Sequence, residues 1–314
     1  MFRHDNSTRL KDFFRHLLSK VLKGNILVVG NLTHTGQHGI SFDNSQISTN
    51  QFLNAIFKSL HNLRKEIKTE FGKTIRLILF KDYFENDPVH FKEDMFVINK
   101  YHKVVVQPNM IMKIKDTWTN ESDYVADMKT KYRARYKRAR KRYKGIFVKE
   151  LHLKELQIES KTIYSLYNNV SKNAAFNTFV LPENHFVSLK EQLKNNFKVF
   201  GYYLDNQLIG FYTLILNKEV LETYFLGYDS EHQHSNQLYL NMLYDMATYG
   251  IENKFETVVY ARTAMEIKSS VGALAEPMFM YLKYTNGFVN TVLRQIFILM
   301  NPSQKWEQRH PFKK

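Results

Sequence analysis

The sequence predicts a mixed α/β (α+β) protein with two domains and a long basic helix between them. With 314 residues, the chain is longer than one hydrophobic core usually fills, so two domains are expected. Short apolar runs alternate with segments of helical periodicity, which is typical of α/β folds. Between Lys129 and Lys144, ten residues are Lys or Arg and none is acidic. This run supplies most of the excess charge.

The composition limits the possible functions. The chain has no cysteine, which excludes disulfides, a thiol nucleophile and cysteine metal sites. No apolar run approaches the roughly 18 residues of a membrane-spanning helix, and no signal peptide is recognisable. We therefore expect a cytoplasmic protein. Its net charge of +15 favours an anionic substrate, cofactor or surface.

Four segments are expected along the chain. They are a basic amphipathic helix over 1–23, a first domain over 24–121, a basic linker helix over 122–145 and a second domain over 146–314. Two interpretations of the first segment stay open. It packs on its own domain, or it lies on an anionic membrane surface as a peripheral contact.

The first domain is predicted as a small α/β unit. A buried strand ends at Gly30, a helix covers 49–71, a strand covers 75–80, and two extended segments cover 101–107 and 110–114. His34 and His38 are four residues apart, but Gly36 between them disfavours a metal-binding helix. No metal site is predicted.

The basic segment is predicted as one helix, because apolar residues recur in it at steps of three or four. Ser122 is the expected N-cap, and Gly145 the expected stop. Three interpretations compete. The helix is a solvated connector, it binds an anion such as coenzyme A phosphates, transfer RNA or acidic lipid, or it binds duplex nucleic acid. The last is disfavoured, because no zipper heptads follow.

The second domain has a more detailed pattern. A strand over 147–151 precedes helices over 154–171 and 182–195, the latter with Pro182 in its first turn. Strands over 198–204, 208–216 and 220–228 form a meander with a hairpin turn at Asp205 and Asn206. A polar loop over 229–236, a helix over 237–251, a strand over 257–260 and a helix ending near Gly272 follow.

This order resembles the GNAT acyltransferase fold, and the segment 262–272 makes the resemblance more specific. Ala264, Lys268 and Gly272 keep the spacing of a GNAT helix motif, with lysine in the usual tyrosine position. The same segment is similar to the Phe-Lys-x-x-Phe-Gly signature of Fem-type transferases. That family builds peptide bridges or related amides from two tandem GNAT-like domains, and it carries an arginine-rich helix between them.

The basic run, the Gly227-Tyr-Asp stretch and the closing segment from Trp306 also resemble FemAB-like proteins found in Bacteroidetes. The resemblance implies two tandem GNAT-like domains that a long basic helix joins, with the chemistry in the second. It implies acyl transfer from acyl-CoA (acetyl-CoA) or a related activated donor to an amine acceptor. Aminoacyl transfer RNA is the alternative donor.

One departure concerns the donor. The glycine-rich pyrophosphate loop of ordinary GNATs is missing, since 229–236 contains no glycine. The start of the following helix still offers free N–H groups to a phosphate, although a plain capped core helix explains it equally well. The expected donor-binding residues are Ser235, Asn236, Gln237, Arg262, Arg133 and Arg140.

The chemistry is assigned to three residues. Glu222 and Tyr224 alternate on one face of the third meander strand, with Glu222 as candidate base. Lys268 is the candidate acid or oxyanion cation. The ordinary explanation for Glu222 is that it faces solvent on its strand. The ordinary explanation for Lys268 is that it is an exposed helix lysine. Two other classes stay open: a non-catalytic RNA-binding module that uses the basic helix, and a degenerate domain that has lost catalysis.

Overall fold

The fold is described from a computed structural model, for residues 24–36, 39–173, 179–300 and 306–313, without the side chains of 298–300. The expected helix over 1–23 and His38 lie outside these residues. Contacts divide the described chain into two compact units. The large unit contains 110–275 and 306–313, and the small unit contains 24–109 and 276–300.

This division differs from the expected boundaries at 121 and 146. The basic segment belongs to the large unit and does not link the two. The second half of the chain is not one domain either, because 276–300 belongs to the small unit together with the first strands. The reason is strand pairing, since Leu77 to Phe80 pair with Tyr281 to Tyr284 from the far end of the chain.

The elements follow one another along the chain. The first part contains β1 (Asn25–Val29), α1 (Thr49–Phe71), β2 (Ile75–Phe84), a 3-10 turn (Pro88–Lys92), α2 (Glu93–Ile98), β3 (His102–Lys113), α3 (Glu121–Asp127) and α4 (Thr130–Arg142). The middle contains β4 (Phe147–Glu150), α5 (Leu153–Ile158), α6 (Ser160–Asn173), α7 (His185–Leu193), β5 (Phe197–Leu204), β6 (Gln207–Asn217) and β7 (Val220–Tyr228). The last part contains α8 (Ser230–Ser235), α9 (Leu238–Glu252), β8 (Thr257–Ala261), α10 (Met265–Ser269), β9 (Leu274–Tyr284) and α11 (Gly287–Met300).

The small unit is a mixed sheet with helices. Strand β2 pairs in parallel with β1 and antiparallel with β9. Helix α1 has the predicted bounds because a capping box of Ser48 and Gln51 starts it and Gly72, at φ 63°, ends it. Its buried residues Leu53 and Leu60 pack into an aromatic core that includes Phe80.

The large unit is built on an antiparallel meander, as predicted. Strands β4, β5, β6 and β7 pair in sequence. Asp205 and Asn206 have φ of 48° and 62°, which suits a two-residue hairpin turn. Strand β8 then pairs in parallel with β7 and antiparallel with the end of β3.

Strands β7 and β8 diverge after a short contact. Their parallel pairing covers Val220, Leu221 and Glu222, which face Thr257, Val258 and Val259. Strand β7 continues to Tyr228, so its later residues border an edge that β8 leaves open. This divergence splays the sheet between β7 and β8.

The prediction of one long basic helix is wrong. Met128 is extended, with ψ of 144°, and it separates α3 from α4. Asn120, not Ser122, caps α3 by accepting from the N–H groups of Ser122 and Asp123. The break has a tertiary cause, because the Lys129 N–H donates to the carbonyl of Pro311 at 2.8 Å.

Three smaller expectations are also corrected. The helix expected over 154–171 is two helices, α5 and α6. The helix expected from Pro182 begins at His185, and the loop expected over 229–236 contains the short helix α8. No helix in the described part of the chain has the length and apolar character needed to cross a bilayer.

Gly227 provides a test of the packing between β7 and α6. A Cβ built on Gly227 would lie 2.5 Å from backbone atoms of Leu166 and Tyr167, which cannot retract as a flexible side chain would. We expect Gly227→Ala to lower the free energy of unfolding by about 2 kcal/mol, because overpacking strains the core. Gly287→Ala is the control, since nothing lies within 4 Å of its Cβ position. Denaturant titration measures both, and equal effects would contradict this packing.

Candidate active site

A cationic cavity of about 580 Å³ lies within the large unit. Five of its lining residues are cations and none is acidic. The lining residues are Lys131, Tyr132, Arg135, Arg138, Arg142, Gln233, His234, Gln237, Leu240, Ile267 and Arg309. Such a cavity favours a ligand that carries several negative charges.

Helix α4 supplies four of these cations from one face. Lys131, Arg135, Arg138 and Arg142 follow one another at steps of four, three and four residues, which places them on one side of a helix. Arg309 joins them from the closing segment, where it pairs with the carboxylates of Glu266 and Glu307. The cavity is therefore made by one helix face and a segment distant in sequence.

The start of α9 forms another wall of the cavity. Gln237 and Leu240 line it, and Gln237 is the N-cap residue, with φ of 51°. The Tyr239 N–H donates to Gln233 Oε1 at 2.9 Å. The first N–H groups of a helix have no acceptor within the helix itself. Free N–H groups and the positive end of a 15-residue helix suit a phosphate.

Arg140 points away from the cavity and anchors α4. Its guanidinium donates to Glu121 Oε1 at 2.5 Å and to Asp245 Oδ1 at 2.6 Å, and Asn241 Oδ1 lies at 3.3 Å. Burial acts to raise the pKa of Glu121, but the charge of Arg140 and its hydrogen bonds hold that pKa below its usual value. Burial raises the pKa of Asp245 despite Arg140.

Of the two arginines predicted from α4 to bind the donor, neither lines the cavity. Arg140 is committed to its ion pairs, and Arg133 lies on another part of the helix surface. Their neighbours Arg135 and Arg138 occupy the wall instead. The sequence spacing shows that Arg135 and Arg138 lie on a different helix face from Arg133 and Arg140. Only the ion pairs of Arg140 show that the face with Arg135 and Arg138 is the one that lines the cavity.

We expect Arg140→Met to lower the free energy of unfolding by about 3 kcal/mol, because it leaves two carboxylates without their cation in a largely buried site. Arg133→Met on the same helix should change it by less than about 0.5 kcal/mol, as surface substitutions usually do. Urea titration of both variants measures the difference. Equal stabilities would show that the Arg140 pairs do not hold α4.

The three residues predicted before α9 have separate roles. Gln237 lines the cavity, as described. Asn236 Nδ2 donates to the carbonyl of Arg142 at 3.1 Å, which ties the turn to α4. The Ser235 hydroxyl is exposed and bonds within its own short helix and to Asn236 Oδ1 at 3.0 Å. One of the three therefore contacts the cavity, and the other two shape its wall.

Lys268 is buried beneath the loop between β8 and α10. Its Nζ donates to the carbonyls of Tyr260 at 2.5 Å, Arg262 at 2.6 Å and Ala261 at 3.4 Å. Three acceptors match the three donors of an ammonium group, whereas burial favours the neutral amine and lowers the pKa of Lys268 to about 7. Lys268 thus clamps the end of β8.

The clamped loop has an unusual backbone. Ala261, Thr263 and Ala264 all have positive φ, between 45° and 67°. The β-branched Thr263 seldom adopts this conformation, so the loop needs external support. The predicted donor-binding residue Arg262 lies within this loop, partly buried, and it does not line the cavity.

The pH dependence of stability tests the state of Lys268. Its folded pKa of about 7 lies below the ordinary value of a free lysine, so unfolding above pH 7 takes up a proton. The stability of the wild type relative to Lys268→Met should therefore rise between pH 7 and pH 9, by up to about 1.4 kcal/mol per pH unit. A difference that is constant with pH would contradict a lowered pKa.

The two predicted residues of β7 have different surroundings. Glu222 is buried, with 5% of its surface exposed, and accepts a hydrogen bond from Asn217 Nδ2 at 2.9 Å. Tyr224 is partly exposed, and its hydroxyl lies 3.0 Å from His185 Nε2. Neither lines the cationic cavity. His185 and Arg309 were not expected, since nothing local in the sequence marks them.

Comparisons with known proteins support the fold. No family model matches the chain, and no curated protein does. Among solved structures, FemX matches with a TM-score of 0.52 at 12% identity, over 86% of this chain and 83% of that one. The chain therefore shares the fold of FemX. This likeness concerns the fold alone, so the FemAB-like affiliation stays a prediction.

Two other solved structures are similar at lower TM-scores. The C-terminal domain of a putative lysylphosphatidylglycerol synthetase from Agrobacterium fabrum has a TM-score of 0.49 at 10% identity, over 81% of this chain and 80% of that one. A GCN5-related N-acetyltransferase from Sphaerobacter thermophilus has 0.42 at 7% identity, over 66% and 59%.

Proposed function

We propose that the large unit is an N-acyltransferase that moves an acyl group from an activated, phosphate-bearing donor to an amine. Acyl-CoA is the donor that we favour. The observation that carries the proposal is the cationic cavity at the start of α9, within a GNAT-like fold. A coenzyme with several phosphates fits a cavity with five cations and free helix N–H groups.

In this proposal the donor phosphates lie between α4 and α9. Arg135 and Arg138 contact them from one side, and the N–H groups of the first turn of α9 from the other. Ser235, Asn236 and Gln237 hold that turn in place. Arg262 acts through the backbone of the loop that Lys268 clamps. The acyl group then reaches the open edge of β7.

The acceptor amine approaches that edge. Tyr224 is the predicted β7 residue with a partly exposed side chain, and we assign it the contact with the amine. Glu222 is buried beside Asn217, and Lys268 is saturated by carbonyls. We therefore assign both of them a positioning role, in place of the direct proton transfer that the sequence suggested.

Coenzyme A binding tests the donor site. Arg135→Gln should weaken the binding of coenzyme A about tenfold, because a charge-assisted hydrogen bond contributes roughly 1.5–3 kcal/mol. Arg133→Gln is the matched control on the same helix and should change the affinity less than about twofold. Isothermal titration calorimetry measures both. An equal loss in the two variants would mean that the helix attracts anions without a specific site.

A transfer assay tests the activity itself. The wild-type protein is incubated with acetyl-CoA or long-chain acyl-CoA and a panel of primary amines, and free thiol release is followed. We expect acyl-dependent thiol release that requires an amine. Tight binding of coenzyme A without transfer to any amine would favour a domain that has lost catalysis.

A donor carried on transfer RNA is the second candidate. The observation that favours it is the number of cations outside the cavity on α4 and just after its end, since Lys137, Lys141 and Lys144 are exposed. Binding of a transfer RNA should then weaken steeply with salt, with a log-log slope of about −0.7 to −0.9 per phosphate contact. Coenzyme A binding should show a smaller slope. A steep RNA slope with no coenzyme A binding would favour the RNA-linked donor or a non-catalytic RNA-binding module.

A further inference from the structure

A hydrogen bond joins the start of α7 to β7. His185 Nε2 and the Tyr224 hydroxyl are 3.0 Å apart. The two rings are nearly parallel, with centroids 5.9 Å apart and planes at 24°. A ring pair held at two points, by stacking and by a hydrogen bond, has a fixed geometry.

The position of Tyr224 follows from a bulge in β7. Tyr212 pairs with Leu226 and Leu214 with Thr223, so Thr213 faces two residues, Tyr224 and Phe225. The Thr213 hydroxyl fixes the bulge by donating to the carbonyl of Phe225 at 2.7 Å and accepting from its N–H at 3.0 Å. Bulges redirect side chains and are common beside active sites.

The bulge also lies where β7 has lost its neighbour. Glu222 is the last residue of β7 that pairs with β8, and Tyr224 follows two residues later. The hydroxyl of Tyr224 is therefore carried by the part of β7 that borders the open edge. Both Tyr224 and His185 are partly exposed, so a ligand can reach the pair.

The surroundings of His185 favour the neutral imidazole. The rings of Phe186 and Phe225 stand edge-on to it, at 5.5 Å and 6.4 Å between centroids. Burial lowers the pKa of His185 below its ordinary value, and none of the charged groups in the described ranges contributes to the shift. The charged residues on β7, α7 and its approach, and α6 are Glu222, Lys190, Glu191, Glu183, Lys161 and Lys172. A neutral imidazole at neutral pH is a proton acceptor.

We propose that the Tyr224 hydroxyl contacts the acceptor amine and that His185 receives the proton of that amine through it. This inference rests on the proposed acyl transfer. The amine nitrogen forms the new C–N bond as its proton passes to the Tyr224 oxygen, and the hydroxyl proton passes to His185 Nε2. When the bond from the acyl carbon to the donor breaks, the proton returns through Tyr224 to the leaving sulfur or oxygen. Tyr224 is the catalytic residue and His185 positions its hydroxyl and stores the proton.

The pH profile of transfer distinguishes this role from a structural one. In the wild type, kcat should fall as the pH drops through the lowered pKa of His185, because the imidazole becomes protonated. His185→Gln keeps a side chain that can accept a hydrogen bond but does not titrate. It should lose roughly 100-fold in kcat, as expected for a missing proton acceptor, and also lose the acidic limb, with an unchanged KM for the donor. His61→Gln, at an exposed position of α1, is the control and should behave as the wild type.

Tyr224→Phe is the second variant, and it tests the proton path independently if His185→Gln does not fold. It should show the same loss of kcat with an unchanged donor KM. If His185→Gln or Tyr224→Phe keeps the wild-type kcat and acidic limb, the inference is overturned while the proposed function stands. If the wild type transfers no acyl group to any amine, the proposed function fails. This outcome is measured on the wild type and does not depend on either variant.

A titration by nuclear magnetic resonance tests the pair without turnover. Nitrogen-15 shifts of the His185 ring should show a neutral imidazole at pH 7, and Tyr224→Phe should change the Nε2 shift because the hydrogen bond is lost. A ring that is charged at pH 7, or one that does not respond to Tyr224→Phe, would overturn the inference.

Discussion

The ion pairs of Arg140 are the constraint on which the site depends. Helix α4 carries cations on every side, so its rotation about its own axis decides which of them face the cavity. Arg140 binds Glu121 on α3 and Asp245 on α9, and its guanidinium also lies over the rings of Tyr136, Tyr143 and Tyr244. A planar guanidinium with five donors is suited to such a fixed geometry. Once Arg140 is held inward, the face with Arg135 and Arg138 is turned to the cavity.

This arrangement gathers like charges on the cavity wall, and none of the described residues that line it is a carboxylate. Two unit charges at roughly 8 Å repel by about 0.5–2 kcal/mol, depending on how well water screens them. A phosphate between them converts this repulsion into attraction, so the cavity gains most from a multiply charged ligand. The N–H groups at the start of α9 act in the same direction. We propose that the chemistry takes place elsewhere, at the edge where β7 parts from β8.

Local signals in the sequence were sufficient for some of these features. The capping box at Ser48 and the turn at Asp205 and Asn206 act over a few residues, so the helix and the hairpin they define were predictable. The break at Met128 was not, because the partner of the next residue is Pro311. The same reason hid the true division of the chain, since β9 returns to pair with β2.

In the site, too, local sequence signals were predictable and contacts between distant residues were not. Sequence patterns indicated the basic segment and the start of α9 as anion-binding elements, and both border the cavity. They did not reveal that Arg140 and Lys268 are occupied by protein groups, because carboxylates and carbonyls from other elements satisfy them. His185 was also hidden, since its partner Tyr224 lies 39 residues later in the sequence.

A crystal structure of the protein with coenzyme A would test the proposed donor site. We expect the diphosphate to lie at the first turn of α9, with Arg135 and Arg138 within hydrogen-bonding distance, and the pantetheine arm to extend toward the open edge of β7. A coenzyme bound elsewhere, or an empty cavity at saturating concentration, would contradict it.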